Sequence, residues 1–305
     1  MKKTSLLLLL TFYFISLTGT PAIFANDKKA SETQNDRLHI LLTNDDGIDA
    51  PGILAVEKAL LAAGHRVSVI APASQQSGAS SSITGGNIVI SSRGKGRWAI
   101  AGRPADAVRI ALGYLLADDR PDLVISGANR GQNVGPDTLI SGTVGAALQA
   151  RQHHIPAIAL SVAVRLEEAR MEPPFPSTLA AMDDAAAFAV TLINDRELIV
   201  LAGETLININ YPAQEAAKGI KVVPLSHQSL TGGAWHSSGK VADGDAVTSR
   251  YKKPDVTTGE GDAEWLEKGY ITIGFLRNSL GVNASDHNKY SQILAPVLSR
   301  QHSTR

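Results

Sequence analysis

The stretch Leu38-His39-Ile40-Leu41-Leu42-Thr43-Asn44-Asp45-Asp46-Gly47 decides how this chain is read. Ile40, Leu41 and Leu42 are apolar without alternation, the pattern of a strand covered on both faces, as in a parallel sheet between helices. Asn44 to Gly47 then stop the strand with residues that tolerate turn geometry. Neighbouring side chains on a straight strand point to opposite faces, so Asp45 and Asp46 reach one ion only if the backbone turns there. Gly47 makes such a turn cheap. Pro51 suits a first helical turn, Ile53, Val56 and Leu60 recur at helical spacing, and Gly64 suits the far end. Arg66 to Ile70 reads as a second strand, completing a βαβ unit with a right-handed crossover. Open α/β sheets place ligands at the carboxyl ends of their strands, so the paired aspartates read as a catalytic metal site. The plainer reading, an Asp that caps the helix and shapes the turn, leaves two adjacent carboxylates without a counter-charge.

Composition narrows the field. A chain of 305 residues with 44% hydrophobic content can bury a sizeable core, as one large α/β domain or a domain with an elaboration. Lysine plus arginine equals aspartate plus glutamate at 29 each, so charge suggests neither a nucleic-acid groove nor an anionic membrane surface. The absence of cysteine excludes disulfides, thiolate zinc sites and a Cys nucleophile, leaving oxygen and histidine as ligands. Residues 1–25 read as a secretory signal peptide: Lys2 and Lys3, an apolar run from Leu6 to Leu17, then Gly19, Pro21 and Ala25. That run is shorter than the roughly 20 residues of a membrane span, so no stable membrane anchor is expected after cleavage. Residues 26–37 read as a flexible lead-in, and the mature protein is expected to be exported, periplasmic or secreted.

Further along, the loop Ala73 to Ser82 lies at the same sheet edge as the acidic turn, with Ser77 at its centre. Asn87–Ser92 and Trp98–Ala101 read as a hairpin, Ala105–Leu116 as a helix and Leu123–Ser126 as a third buried strand. Gly127 to Gly135 follows as a glycine-rich loop carrying Asn129 and Asn133, whose exposed N–H groups could cradle phosphate oxygens. It matches neither the dinucleotide fingerprint nor a P-loop. Ser141-Gly142-Thr143 opens a helix to about Arg151 whose positive end is a second anion contact, or plainly a serine or threonine cap. Ala157–Val162 reads as a fourth strand. Ser177 is expected to cap a helix from Thr178 to Ile193. Leu206–Pro212 alternates like a strand with one polar face, with Ile220–Val223 pairing near it. Residues 225–265 read as a long irregular loop, an arm or an oligomer contact, in which Trp235 and Tyr251 either stack on a base or pack. Tyr270–Leu276 reads as a last strand and Tyr290–Leu298 as a short helix.

The ordered set Asn44-Asp45-Asp46-Gly47, Ala50-Pro51-Gly52-Ile53, Gln76-Ser77-Gly78, Pro104-Ala105-Asp106, Pro121 to Gly127, Asn129, Gly131, Asn133, Gly135, Ser141-Gly142-Thr143-Val144 and Pro156-Ala157-Ile158-Ala159 resembles the SurE family of acid-phosphatase-like 5'-nucleotidases. The likeness is strong over about residues 38–165 and thin beyond. It implies a Rossmann-like, mostly parallel sheet with helices on both faces over residues 38–212, and a β-rich extension and oligomerisation arm over 213–305. It implies homodimers or homotetramers and hydrolysis of nucleoside 5'-monophosphates, with 3'-monophosphates as a further class. One divalent ion per subunit, Mg²⁺ or Mn²⁺, would be held by Asp45, Asp46, Ser77 and Asn129, with Asn133, Ser141, Gly142 and Thr143 around the phosphate. Asp45 and Asp46 would be catalytic, one of them taking a proton from the attacking water. Three features depart from the family: Arg103 where threonine is usual, the exported leader, and Gly261 in place of a threonine before Asp262. Two other readings stand beside it. A metal-dependent amide deacetylase would need histidine ligands, and His65, His153 and His154 read as surface residues. A non-catalytic exported nucleotide-binding protein would leave the acidic pair unexplained.

Overall fold

The computed structural model describes residues 37–277, apart from 215, 230–232, 242 and 252–258, together with 285, 286, 288, 289 and 291–293. The signal peptide and nearly all of the lead-in lie outside the described residues, as does most of the expected C-terminal helix; its residues 291–293 are helical. The elements in chain order are β1 (His39–Thr43), α1 (Pro51–Ala62), β2 (Arg66–Pro72), β3 (Ile90–Ser92), β4 (Arg97–Ile100), α2 (Pro104–Ile110), β5 (Leu123–Arg130), α3 (Gly142–Gln152), β6 (Ala157–Val162), α4 (Pro176–Ile193), α5 (Arg196–Glu204), β7 (Leu206–Tyr211), β8 (Ile220–Val222), β9 (Gly233–Val241), β10 (Gly244–Tyr251), α6 (Asp262–Glu267) and β11 (Ile271–Leu276).

The main sheet has nine strands in the order β3-β4-β2-β1-β5-β6-β7-β11-β8. From β4 to β7 every neighbour is parallel. β3 pairs antiparallel with β4, and β11 antiparallel with β7. The fold is therefore the α/β class expected. Ile220–Val222 pairs with β11 and not with β7, so β11 separates two segments expected to lie together. β8 and β11, which lie beyond residue 212, complete the same sheet.

The sheet is covered on both faces, as the unbroken apolar run of β1 requires. Ile40 and Leu42 pack with Ile53, Val56 and Leu60 of α1 and Met182 and Ala185 of α4. Leu41, pointing the other way, packs with Val108 of α2 and Val144 and Ala147 of α3. The chain steps from β1 to β2 on one side and later from β5 to β6 on the other. β1 and β5 thus flank the point where strand order reverses, the crevice in which open α/β sheets seat their ligands.

Three local expectations change. β5 runs through Arg130, with a register shift between Ser126 and Asn129, so Gly127-Ala128 is a bulged strand end and not the start of a loop. A β-carbon on Gly127 would sit 2.1 Å from the Leu160 carbonyl oxygen, which is why the bulge takes glycine here. Ser177 does not cap α4; Phe175 holds that position, and the Ser177 hydroxyl donates to Glu168 Oε2 at 2.8 Å. Residues 225–265 are less irregular than their composition suggests, because β9 and β10 form an antiparallel hairpin and α6 follows. Trp235 stands on that hairpin 71% exposed, while the Tyr251 side chain lies outside the described residues.

Candidate active site

At the carboxyl end of β1 the backbone turns, and Asn44 fastens the turn by donating to the Gly47 carbonyl at 2.8 Å and accepting its N–H at 3.2 Å. Gly47 takes φ +108, the left-handed region that glycine enters freely. The turn sends the two aspartates apart in a defined way. Asp45, 3% exposed, faces the start of α3, where its Oδ1 accepts from the Thr143 hydroxyl at 2.5 Å. Asp46 faces β5 and accepts the Arg130 N–H on Oδ2 at 2.7 Å, while its Oδ1 is buried and has no hydrogen-bond partner.

Burial pushes the Asp45 carboxyl up to about 6, with the Thr143 hydrogen bond opposing and the neighbouring Asp46 charge adding to the rise. Burial also raises Asp46, against the Arg130 N–H and charge. Two carboxylates held where their own ionisation is penalised await a positive charge. Among the described residues no group of three His, Asp or Glu side chains could hold a metal ion. A cation here would have to add hydroxyl and amide oxygens to the two carboxylates, a hard donor set suited to Mg²⁺ or Mn²⁺. The orphaned Asp46 oxygen is the feature that fits such an ion.

The other expected ligands, Ser77 and Asn129, lie on segments whose neighbouring residues Gln76 and Arg130 hydrogen-bond to this turn. Ser77 is exposed in its loop, one residue beyond Gln76, whose N–H donates to the Asp45 carbonyl at 2.7 Å. The same loop leans on α3 and the turn before it: the Ser80 hydroxyl donates to the Leu139 carbonyl at 2.7 Å, and a β-carbon on Gly145 of α3 would lie 2.1 Å from the Ser80 carbonyl oxygen. Asn129 donates its amide to the Gly131 carbonyl at 2.6 Å and precedes the Arg130 that binds Asp46. Ser141 caps α3, accepting the Val144 N–H at 3.0 Å. Gly142 is pressed so close to Asp45 that a β-carbon would sit 2.8 Å from its Oδ2.

Asn133 is held more firmly than its sequence announced. Its N–H donates to Asn210 Oδ1 at 2.7 Å, its carbonyl accepts from Asn208 at 2.8 Å and Asn210 at 3.0 Å, and its own amide donates to Ser161 at 2.8 Å. The polar face of β7 therefore does not meet solvent; it grips this loop. Two residues on, Gly135 donates its N–H to the buried Asp262, which also accepts from Ser226 at 2.8 Å. Sequence reasoning missed Asn208, Asn210 and Ser161, and the signal was the alternation of asparagine in an otherwise apolar strand. Asn210→Ala leaves the Asn133 N–H unpaired and is expected to cost about 1–3 kcal/mol in urea unfolding, whereas Asn208→Ala, which leaves the carbonyl with Asn210, should cost about 0.5–1.5.

The histidines lie elsewhere. His65 is not a surface residue: it is 4% exposed at the opposite, amino edge of the sheet, where its Nδ1 accepts the Leu38 N–H at 3.3 Å. His153 and His154 are exposed at the far end of α3. Neither His65, His153 nor His154 stands beside the acidic turn, so none of these three is placed to serve there as a deacetylase's zinc ligand.

Comparison with known proteins gives the family and the fold. The family model described as Survival protein SurE matches residues 40–232. A protein named 5'-nucleotidase SurE 1, from Burkholderia lata, is 39% identical over 199 residues, covering 63% of this chain and 72% of its own. A 5'-nucleotidase SurE from Nitratidesulfovibrio vulgaris is 36% identical over 246 residues, covering 79% of this chain and 93% of its own. The crystal structure of the SurE protein from Aquifex aeolicus superposes with a TM-score of 0.68 at 27% identity, covering 84% of this chain and 99% of that one.

Proposed function

The chain belongs to the SurE family, and from that premise we propose that it is a metal-dependent phosphomonoesterase that hydrolyses nucleoside 5'-monophosphates to nucleoside and phosphate, with 3'-monophosphates as a further substrate class. The observation that carries the reading is the buried, unpartnered Oδ1 of Asp46 beside a second buried carboxylate, at the point where the sheet reverses its strand order.

Asp45, Asp46, Ser77 and Asn129 would hold one divalent cation per subunit, Mg²⁺ or Mn²⁺. Such a cation, when bound, neutralises phosphate charge and lowers the pKa of a coordinated water. The chain supplies the rest. Thr143 fixes the Asp45 carboxylate and the Arg130 N–H fixes that of Asp46, so neither spends reorganisation on reaching its working position. The positive end of α3, whose Thr143 already serves Asp45, would favour negative charge developing on phosphoryl oxygens beside Ser141 and Gly142. One of the two aspartates accepts the proton of the attacking water. Asn133, whose segment is fixed by its hydrogen bonds to β7, would contact the phosphate. The leader over residues 1–25 would direct export, and the chain would assemble as a homodimer or homotetramer.

Phosphate release from a panel of nucleoside monophosphates, measured with Mg²⁺, with Mn²⁺ and with EDTA, tests this reading. Turnover that needs the cation and is abolished by EDTA is expected. Release from no monophosphate with either cation would end the proposal, and tight nucleotide binding without release would favour the non-catalytic alternative.

A further inference from the structure

Asn133 and Ser141, both expected at the phosphate, are joined by a short stretch whose middle is the turn Gly135–Leu139. That turn is built against a distant part of the chain. The Gly135 N–H donates to Asp262, 127 residues on at the start of α6, at 3.1 Å to Oδ1 and 3.2 Å to Oδ2. We propose that Asp262 is a positioning residue for phosphate binding: it touches no substrate, and it sets the backbone between Asn133 and Ser141 so that both meet the same phosphoryl group. The proposal rests on the phosphomonoesterase reading above. It gives the segment beyond residue 212, which reads from sequence as an extension and arm, a part in the site itself.

Asp262 is 1% exposed, and its Oδ1 also accepts the Ser226 N–H at 2.8 Å and the Ala263 N–H at 2.9 Å. Burial pushes its carboxyl up to about 6, with the three N–H groups opposing the rise and the nearby Glu264 charge adding to it. The first N–H of a helical turn has no partner within the turn, and here a buried carboxylate gives it a charge-assisted one. The backbone closes in on the same point. Gly135 takes φ +51, and a β-carbon there would lie 2.6 Å from the Gln228 carbonyl oxygen and 2.9 Å from that of Ser226. A β-carbon on Gly261 would lie 2.6 Å from Ser226 Cα, so the start of α6 presses on that segment too. Ser226 is locked in place, its hydroxyl donating to Glu264 at 2.9 Å and accepting the Gln228 N–H at 3.1 Å. Val134 packs with Ala263 and Leu266 of α6. The turn, the 226–228 backbone and α6 leave one another no slack, and Asp262 is the group that binds to all three.

The expected cation ligands are held by other contacts. Asp45 is fixed by the Thr143 hydroxyl, Asp46 by the Arg130 N–H and Asn129 by the Gly131 carbonyl. Removing the Asp262 side chain leaves those contacts in place and frees the Gly135 N–H. A binding group displaced by an ångström can lose about a hundredfold in rate, so a loosened turn between Asn133 and Ser141 acts on the phosphate first.

The test separates anion from cation affinity. In the full-length protein, Asp262→Ala is expected to weaken orthophosphate binding about tenfold, followed by calorimetric titration in the presence of Mg²⁺. The KM for adenosine 5'-monophosphate should rise by a similar factor with little change in kcat, while Mg²⁺ affinity stays within about twofold. Asp262→Asn, whose amide oxygen still accepts the three N–H groups, should restore orthophosphate binding to near that of the unsubstituted protein. A general loosening of the fold would lower both affinities together, so equal losses of the two, or no loss for orthophosphate, overturn the proposal. Should Asp262→Ala not fold, Gly135→Ala forces the turn off the Ser226 and Gln228 carbonyls and is expected to give the same split; unchanged orthophosphate binding in that variant overturns the proposal as well. Phosphate release that continues in Asp262→Ala with an unaltered KM overturns the positioning role alone. Orthophosphate binding that depends on Asp262 in a protein that hydrolyses no ester keeps that role and ends the phosphomonoesterase reading.

Discussion

Asp46→Asn is expected to cut phosphate release by at least about a hundredfold, the scale on which single preorganised electrostatic groups act in catalysis, and to leave the fold no less stable. The two halves of that expectation have one cause. Asparagine keeps an oxygen to accept the Arg130 N–H, so the turn retains its hydrogen bond to β5. What it loses is the charge. Burial raises the Asp46 carboxyl above its ordinary range, so the folded state binds a proton there more readily than the unfolded chain does. The ionised form is therefore the one the fold pays for near neutrality, and a neutral isostere removes that penalty. Activity down with Tm level or higher marks a residue kept for function at the expense of stability. Asp45→Asn should behave alike in activity, with the Thr143 hydroxyl still served by the amide oxygen. Phosphate release above background in the double variant would refute the acidic pair as the catalytic centre.

Gly52→Ala is the second large effect, and it acts on the frame. A β-carbon at that position would lie 1.9 Å from the Ala128 carbonyl oxygen and 2.9 Å from its carbon, with Met182 Sδ at 3.2 Å. The obstacle is backbone on both sides, α1 against the bulged end of β5, and neither can step aside as a flexible side chain would. Overpacking of this kind costs about 1–3 kcal/mol, which for a chain of this length lowers Tm by roughly 2–5 °C. Ala128 precedes Asn129, so activity should fall with stability. Gly64→Ala makes the comparison: φ there is +88 but nothing lies within 4 Å, so only backbone strain of about 1 kcal/mol is incurred. A scanning-calorimetry result with Gly64→Ala costing as much as Gly52→Ala would remove the close approach as the explanation.

Much of this was legible in the residue order, and the parts that were not share a physical reason. The parallel core could be read because burial on both faces erases alternation, and β1 and β6 show that erasure plainly. The acidic turn could be read because a strand that ends in Asn-Asp-Asp-Gly has few other reasons to place two like charges together. The polar face of β7 was misjudged as to its surroundings: alternation usually means water on one side, but Asn208 and Asn210 are buried because a backbone segment some 75 residues earlier uses their amides. The hairpin β9–β10 escaped notice because glycine, serine and threonine are frequent in loops, and pairing between strands leaves little periodic trace in a segment that buries few apolar side chains. His65 was placed on the surface because its position after a helix suggests solvent, whereas the Leu38 N–H at the start of β1 draws it inward.

The residue order by itself determined the class of fold, the strand that carries the carboxylates and the family, since each depends on local periodicity or on ordered short motifs that survive without coordinates. Only the tertiary structure decided which way each aspartate faces, that Asp46 keeps one oxygen unpartnered, and that Asn133 is clamped by a distant strand. Those are contacts between segments far apart in sequence. They follow from how the elements pack, and packing is a property of the whole chain.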